Sequence, residues 1–413
     1  MDRDEYIRSF EERAPQNRPP QRYRKRKVNK KKLYAKRALM ILCMLLILSS
    51  VIGVFACTCN SCVNNCTGGG AASGSKPSQG GNPQGGTATE PQTTAPIEDP
   101  NKVTIQKYNV KDDGKDAVYL SDTVYLYNDQ GYNILGAGEA GAKHYAQVVS
   151  SIAESLGSDI NVYAMVAPNH AEFGLPQRII EDLGCTSQAD NIQCIYDNMS
   201  DSIIKINAYN AIADHIGEYV YFGTDHHWTS LGAYYGYTAF CEKAKIKAVD
   251  INALTKNSIE DFRGTLYTQT LSSVLYNNPD RVDYYELPME TSAYMREKPD
   301  CEMMLTDIYY AGAAPGSLTY GVFCWGDVVE FIIHSDVGTG KKIALIKDSY
   351  GNALAPYLAA NYDEVHVIDF RHWDKGNLKG YLEENGIKDV LFVNNTMSAN
   401  TPQQVDAMKE ILN

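Results

Sequence analysis

The stretch KIALIKDSYGNALAPYLAANYDEVHVIDF, Lys342–Phe370, decides how this chain folds. Ile343 to Ile346 is an unbroken apolar run, the pattern of a strand covered on both faces. GNALAPYLAANY has the apolar spacing of a short helix. EVHVIDF then begins a second strand. Strand, helix and strand in that order form the unit of a parallel sheet with right-handed crossovers. The pattern continues to the C-terminus. KGNLKGYLEENG reads as a helix capped by Gly386, DVLFVNN as a strand, and a last helix opens near Pro402.

Toward the N-terminus the same alternation returns. AVYLSDTVYLYNDQGYNILG predicts strands around a turn at Asn128–Gly131. GAKHYAQVVSSIAESLG predicts a helix ended by Gly157, and INVYAMVAP a buried strand. Residues 191–215 read as helical, and EYVYF as another buried strand. Thr229 is placed to cap a helix from Ser230 to about Lys245. Between Ile251 and Lys341, short strands such as RVDYYEL and DVVEFII alternate with turns, which predicts an antiparallel β-rich insertion. The fold class is therefore α/β with a parallel central sheet.

In open parallel sheets, chemistry collects beyond the carboxyl ends of the strands. Three such ends carry reactive side chains. Ser349 follows IALIKD and opens a helix, where unpaired backbone N–H groups can hold a negative oxygen. Asp225, His226, His227 and Trp228 follow YVYF, and Asn394 and Asn395 follow VLFV. A serine hydroxyl is a weak nucleophile until an imidazole takes its proton. That imidazole in turn needs a carboxylate to fix its tautomer. Asp225 and His227 are two residues apart, so an extended or tightly turned backbone points both to one side. They make a base with its orienting acid for a serine far along the chain.

Each assignment has a plainer rival. Ser349 can serve only as a helix cap, His227 only in a buried polar network, and the Asp-His-His run as ligands for zinc or iron. Trp228 suits either the core or the face of a sugar ring.

The rest of the chain frames the setting. Residues 1–37 hold fourteen Lys/Arg against five Asp/Glu, a net of +9. The whole chain is at −12, so residues 38–413 carry −21. An acidic body argues against a nucleic-acid partner. ALMILCMLLILSSVIGVFA, residues 38–56, is uncharged and long enough to span a bilayer once. The basic residues before it predict a cytoplasmic N-terminus and an extracellular body at the cell membrane. Cleavage of this segment as a signal, or lipidation at Cys57, are alternatives. Residues 57–101 contain Cys57, Cys59, Cys62 and Cys66, followed by a Gly/Ser/Thr/Pro-rich linker. Disulfides suit those cysteines in an oxidising compartment. Cys185 and Cys194 are close enough in sequence to pair across a loop. The folded body is expected over residues 102–413, with the insertion at about 251–341. No cofactor is called for.

FGTDHHWTSLGAYYGY, IKDSYGNALAPYL and VIDFRHW together resemble the DHHW family of bacterial membrane-anchored proteins, which is similar to the alginate O-acetylation proteins. The resemblance implies an SGNH-hydrolase-like, three-layer fold. It implies a Ser-His-Asp triad at Ser349, His227 and Asp225 that moves or removes acetyl esters on a polysaccharide. His226 has no catalytic counterpart in the alginate proteins and is read as lining the pocket or structural. Ordinary SGNH hydrolases begin with the serine strand and finish with the Asp/His loop. Here the Asp/His run precedes the serine, which implies a circular permutation of the same cycle. That cycle assigns Arg371 and Asn395, or Asn394, as donors to the oxyanion. Their rivals are a salt bridge from Arg371 to Asp369 or Asp374, and a turn role for Asn395. The expected function is an anchored O-acetyltransferase or esterase, with a membrane-bound acyl-donor protein as partner. The alternatives are a non-catalytic scaffold or polysaccharide-binding component, and a metal-dependent hydrolase using the Asp-His-His run.

Overall fold

A computed structural model of the chain describes residues 101–310 and 312–413. The expected basic head, membrane span and all but the last residue of the linker lie outside the described residues. Among the described residues no helix is long and apolar enough to cross a membrane.

Strands β1 (Val118–Ser121), β2 (Val124–Tyr127) and β3 (Gln130–Asn133) form a small antiparallel meander. Asn128 and Asp129 make its β2–β3 turn at positive φ, where Asn and Asp are tolerated. The main sheet uses β4 (Asn161–Ala167), β5 (Ile203–Ile206), β8 (Thr291–Arg296), β9 (Met304–Thr306), β10 (Glu330–Ser335), β11 (Lys342–Lys347), β12 (Glu364–Asp369) and β13 (Asp389–Asn395). Its order is β5-β4-β13-β11-β12-β10-β8-β9. The first five are mutually parallel. The last three continue the sheet antiparallel. The remaining strands, β6 (Thr255–Phe262) and β7 (Asp280–Glu286), pair as a separate hairpin.

The central strands show why the apolar runs are unbroken. Ile343 to Ile346 of β11 and Val390 to Val393 of β13 are fully buried, so neither face meets water. The longer helices are α1 (Glu139–Leu156), α2 (Gln188–Asp197), α3 (Ser230–Ala244), α4 (Tyr350–Leu358), α5 (Leu378–Asn385) and α6 (Pro402–Lys409). They fall into groups: α1 packs with α2 and α6, and α3 with α4. Thr229 caps α3 by accepting from the Gly232 N–H at 3.2 Å.

The fold differs from the sequence reading in several places. The expected central sheet is mixed rather than wholly parallel. The strands of the expected insertion do pair antiparallel, and three of them, β8, β9 and β10, extend the main sheet. Strand β10 covers the edge that β12 would otherwise leave unpaired. The expected helix over 191–215 breaks at Asp197, and Ile203–Ile206 becomes strand β5 beside β4. The β-branched IIKI run prefers the pleated surface once a neighbouring edge is available. EYVYF is no strand, since its only ladder contact is an isolated bridge from Tyr221 to Trp228. Val220, Tyr221 and Phe222 are buried by packing alone. Cys185 and Cys194 are free thiols and do not pair.

Candidate active site

Asp225, His226, His227 and Trp228 lie on a buried bend rather than at a strand end. The bend is closed by the Asp225 carboxylate, which accepts from the His227 backbone N–H at 2.9 Å. The same oxygen, Oδ1, lies 2.6 Å from His227 Nδ1. On the far side of the ring, His227 Nε2 lies 2.7 Å from Ser349 Oγ. Two residues of spacing thus place carboxylate and imidazole in one line with a serine 122 residues away. Asp225 and His227 are 2 % and 5 % exposed, so this pair is shielded from water.

The bend is fastened to the start of α4. Trp228 Nε1 donates to the Tyr350 carbonyl at 2.9 Å, and the Tyr350 hydroxyl donates to the His226 carbonyl. Trp228 is fully buried, which places it in the core and not against a sugar. Ser349 precedes α4, but its hydroxyl makes no capping bond and faces His227 instead.

Four residues that the sequence reading missed come from the region between β6 and β10. Thr265 holds the second Asp225 oxygen through its backbone N–H at 2.7 Å and its hydroxyl at 2.9 Å. Gly264 must precede it, because a Cβ there would overlap the Asp225 carboxylate. Tyr320 stacks on His227 with ring centroids 3.9 Å apart and an interplanar angle of 8°. Its hydroxyl donates to the Ser349 carbonyl at 3.1 Å. Asp327 follows Cys324, Trp325 and Gly326, which sit at φ of 50°, 61° and 81°. This left-handed turn, costly for two non-glycine residues, brings Asp327 to Arg371 at 2.9 Å and Lys347 at 3.4 Å. No local signal marks these roles; only the wide turn propensity of the segment was readable.

Burial alone would raise the Asp225 carboxyl. The neighbouring His227 and His226 and the hydrogen bonds from His227 and Thr265 outweigh it, and the pKa lies below the usual carboxylate range. His226 is pushed down to about 4 by burial and by His227 beside it, so it is neutral near pH 7. Its Nδ1 lies 2.5 Å from the Thr265 hydroxyl. The ligand atoms of Asp225, His226 and His227 fall within 4.8 Å of one another. Both nitrogens of His227 are already directed at Asp225 and Ser349, and His226 Nδ1 at Thr265, so the donor set is a poor fit to a metal.

Ser349, Asp348, Arg371, Asn395, His226 and Gln269 line one cleft with a cavity volume of about 230 Å³. Arg371 is clasped by Asp369 through Nε at 2.8 Å and Nη2 at 2.5 Å. The expected alternative partner, Asp374, is taken by Arg296 instead. Among the described residues Arg371 Nη1 makes no hydrogen bond. The Asn395 side chain caps the following turn by accepting from the Met397 and Ser398 N–H groups at 2.8 and 3.1 Å. Its Nδ2 donates to Asp348 at 2.9 Å, leaving a second N–H on the same nitrogen. Asn394 points elsewhere, accepting from the Tyr145 hydroxyl at 2.7 Å, and is fully buried. It does not line the cleft. Asp348 accepts from the backbone of Tyr350 and Asn395, and its carboxyl is pushed up by burial.

Residues 95–368 match the family model described as DHHW protein. A crystal structure of a DHHW family protein from Eubacterium siraeum is 30 % identical, with a TM-score of 0.65, covering 71 % of this chain and 98 % of that one. Bacillus cereus PatB1, solved free and with a sulfonyl adduct, shares the fold at lower identity. The adduct structure is 18 % identical with a TM-score of 0.56, covering 68 % of this chain and 96 % of that one. No curated protein matches the chain. The length of the family match and the Eubacterium siraeum structure agree, and the chain belongs to the DHHW family.

Proposed function

We propose that this chain is a serine acyltransferase, or the related esterase, acting on O-acetyl groups of an extracellular polysaccharide. The observation that carries the reading is the hydrogen-bonded line from Asp225 through His227 to Ser349, opening on a cleft. In this reading His227 Nε2 takes the Ser349 proton as Oγ attacks the acyl carbonyl carbon. Asp225 accepts from Nδ1–H, sets the tautomer and stabilises the imidazolium. General-base assistance of this kind contributes about 10²–10⁴-fold.

The negative oxygen that develops on the acyl carbon faces the helix start at Ser349 and the free N–H groups of Arg371 and Asn395. Removing one such donor typically costs about 3 kcal/mol, or roughly a hundredfold in rate. As the tetrahedral adduct collapses, the imidazolium returns its proton to the leaving oxygen, and the acyl group remains on Ser349. An acceptor hydroxyl then gives its proton to His227 and attacks the acyl-serine. A sugar hydroxyl yields a new ester; water yields free acid.

The fold reading extends to a circularly permuted SGNH-like arrangement, in which the Asp/His bend precedes the serine strand. The apolar segment 38–56 and the basic residues before it support an anchored body outside the cytoplasmic membrane. One span gives acetyl groups no route across the bilayer, so a membrane-bound donor protein completes the scheme.

The test is labelling of the full chain with a fluorophosphonate or sulfonyl fluoride. Wild type should be labelled and Ser349→Ala should not, and p-nitrophenyl acetate turnover should follow the label with or without chelator. Equal labelling of both proteins, or none of either, sinks the proposal and favours a binding or scaffold role. Loss of turnover on chelation favours the metal reading.

A further inference from the structure

We infer that the acyl acceptor recognised by this cleft is an electrically neutral glycan, not a polyuronate or phosphate-bearing polymer. The inference rests on the acyl-transfer reading above and adds the class of acceptor.

The charges in the cleft are already matched. Its charged lining consists of Arg371 and Asp348. The Arg371 guanidinium faces two carboxylates, Asp369 and Asp327. Lys347 is bound to the same two at 2.8 and 3.4 Å. Two cations and two anions therefore close on each other, and Asp348 adds a carboxyl already held by N–H donors. His226 brings no charge, being largely unprotonated near neutral pH. No positive surplus is left for a sugar carboxylate, and an unmatched anion in a partly desolvated site is costly.

The longer-range field acts the same way. Residues 101–413 hold 23 Lys/Arg against 42 Asp/Glu, a net of −19. A polyanion approaching such a body is repelled over roughly a Debye length, about 8 Å at physiological salt.

What the cleft does offer is amides and hydroxyls. Asn133, Gln269, Gln404 and Ser398 also line it. Gln269 is exposed, and among the described residues its side chain makes no hydrogen bond. A side-chain amide both donates and accepts, which suits hydroxyls and acetamido groups on a neutral ring.

The experiment uses the purified full chain with p-nitrophenyl acetate as donor. The acceptors are pentamers of glucose, of N-acetylglucosamine and of galacturonic acid, and acetylated product is read by mass spectrometry. At low salt a neutral pentamer should be acetylated at least about tenfold faster than the uronate, with the gap narrowing as ionic strength rises. Gln269→Lys, which places a cation on the rim, should bring the ratio to within about threefold. A uronate acetylated as fast as the neutral pentamers, or an unchanged ratio in the variant, overturns the inference. Hydrolysis and serine labelling with no transfer to any pentamer also overturns it while leaving the acyl-serine reading intact. Failure of labelling and hydrolysis together removes that underlying reading.

Discussion

The Tyr320 ring lies flat against the His227 imidazole, 3.9 Å between centroids and 8° from parallel, while its hydroxyl holds the Ser349 carbonyl. One side chain thus touches both base and nucleophile. An aromatic face beside an imidazolium is worth on the order of 1–2 kcal/mol. Tyr320→Phe keeps the face and loses one hydrogen bond, so ester turnover should fall by about threefold or less. Tyr320→Leu should lower kcat/KM by roughly tenfold, with KM little changed. Equal losses in the two variants would show that the hydroxyl, not the ring, matters. The assay is p-nitrophenyl acetate hydrolysis alongside thermal melts.

Asp225→Asn keeps the shape of the bend but turns the His227 tautomer. Turnover should fall by about 10⁴-fold while the fold persists. Thr265→Val removes the hydroxyl's bonds to Asp225 and to His226 Nδ1 and leaves the backbone N–H to Asp225, so about tenfold is expected. Steady-state kinetics with circular dichroism separates lost activity from lost structure. A Thr265→Val enzyme as slow as Asp225→Asn would contradict this ranking.

Gly264→Ala places a methyl group on the Asp225 carboxylate. Either the bend or the Thr265 segment must move, so activity should drop at least about a hundredfold with a loss of stability of about 1–3 kcal/mol. Urea denaturation and ester hydrolysis measure the two effects. Wild-type values for both would refute the close approach.

His170 stacks on Tyr221 with the tilted Tyr132 ring against it, and its buried Nδ1 has no hydrogen-bond partner among the described residues. Burial pushes its pKa down from 6.5 to about 4, against a hydrogen bond to the Phe222 backbone. Between those values the unfolded chain binds a proton that the folded chain does not, so the wild type loses stability as pH falls from 6.5 toward 4. His170→Phe keeps the stacking and removes the titration. Its stability relative to wild type should rise by on the order of 1 kcal/mol on going from pH 7.5 to pH 5. Buried carboxyls common to both proteins cancel in this difference. Urea melts at the two pH values give the answer, and a constant difference would contradict it.

The C-terminal alternation of strand and helix was legible because β11, β12 and β13 are covered on both faces and leave unbroken apolar runs. Asp225, His227 and Ser349 could be grouped because a serine, an imidazole and a carboxylate have one well-known use together. Thr265, Gly264, Tyr320 and Asp327 were illegible. Their roles exist only after two distant segments meet, and nothing in their local sequence differs from an ordinary turn. EYVYF misled because its apolar residues are buried by side-chain packing, which leaves the same composition as a ladder. IIKI was absorbed into a helix because four residues are too few for a period to show.

Strand β13 lies between β4 and β11, although it follows both of them in the chain. Until it arrives, the two halves of the sheet each present an open ladder, and Ser349 has no settled surroundings. A chain cut before Asp389 should therefore be sticky and inert rather than partly active. Insertion of β13 acts as a latch, so the nucleophile is assembled only when that strand is in place.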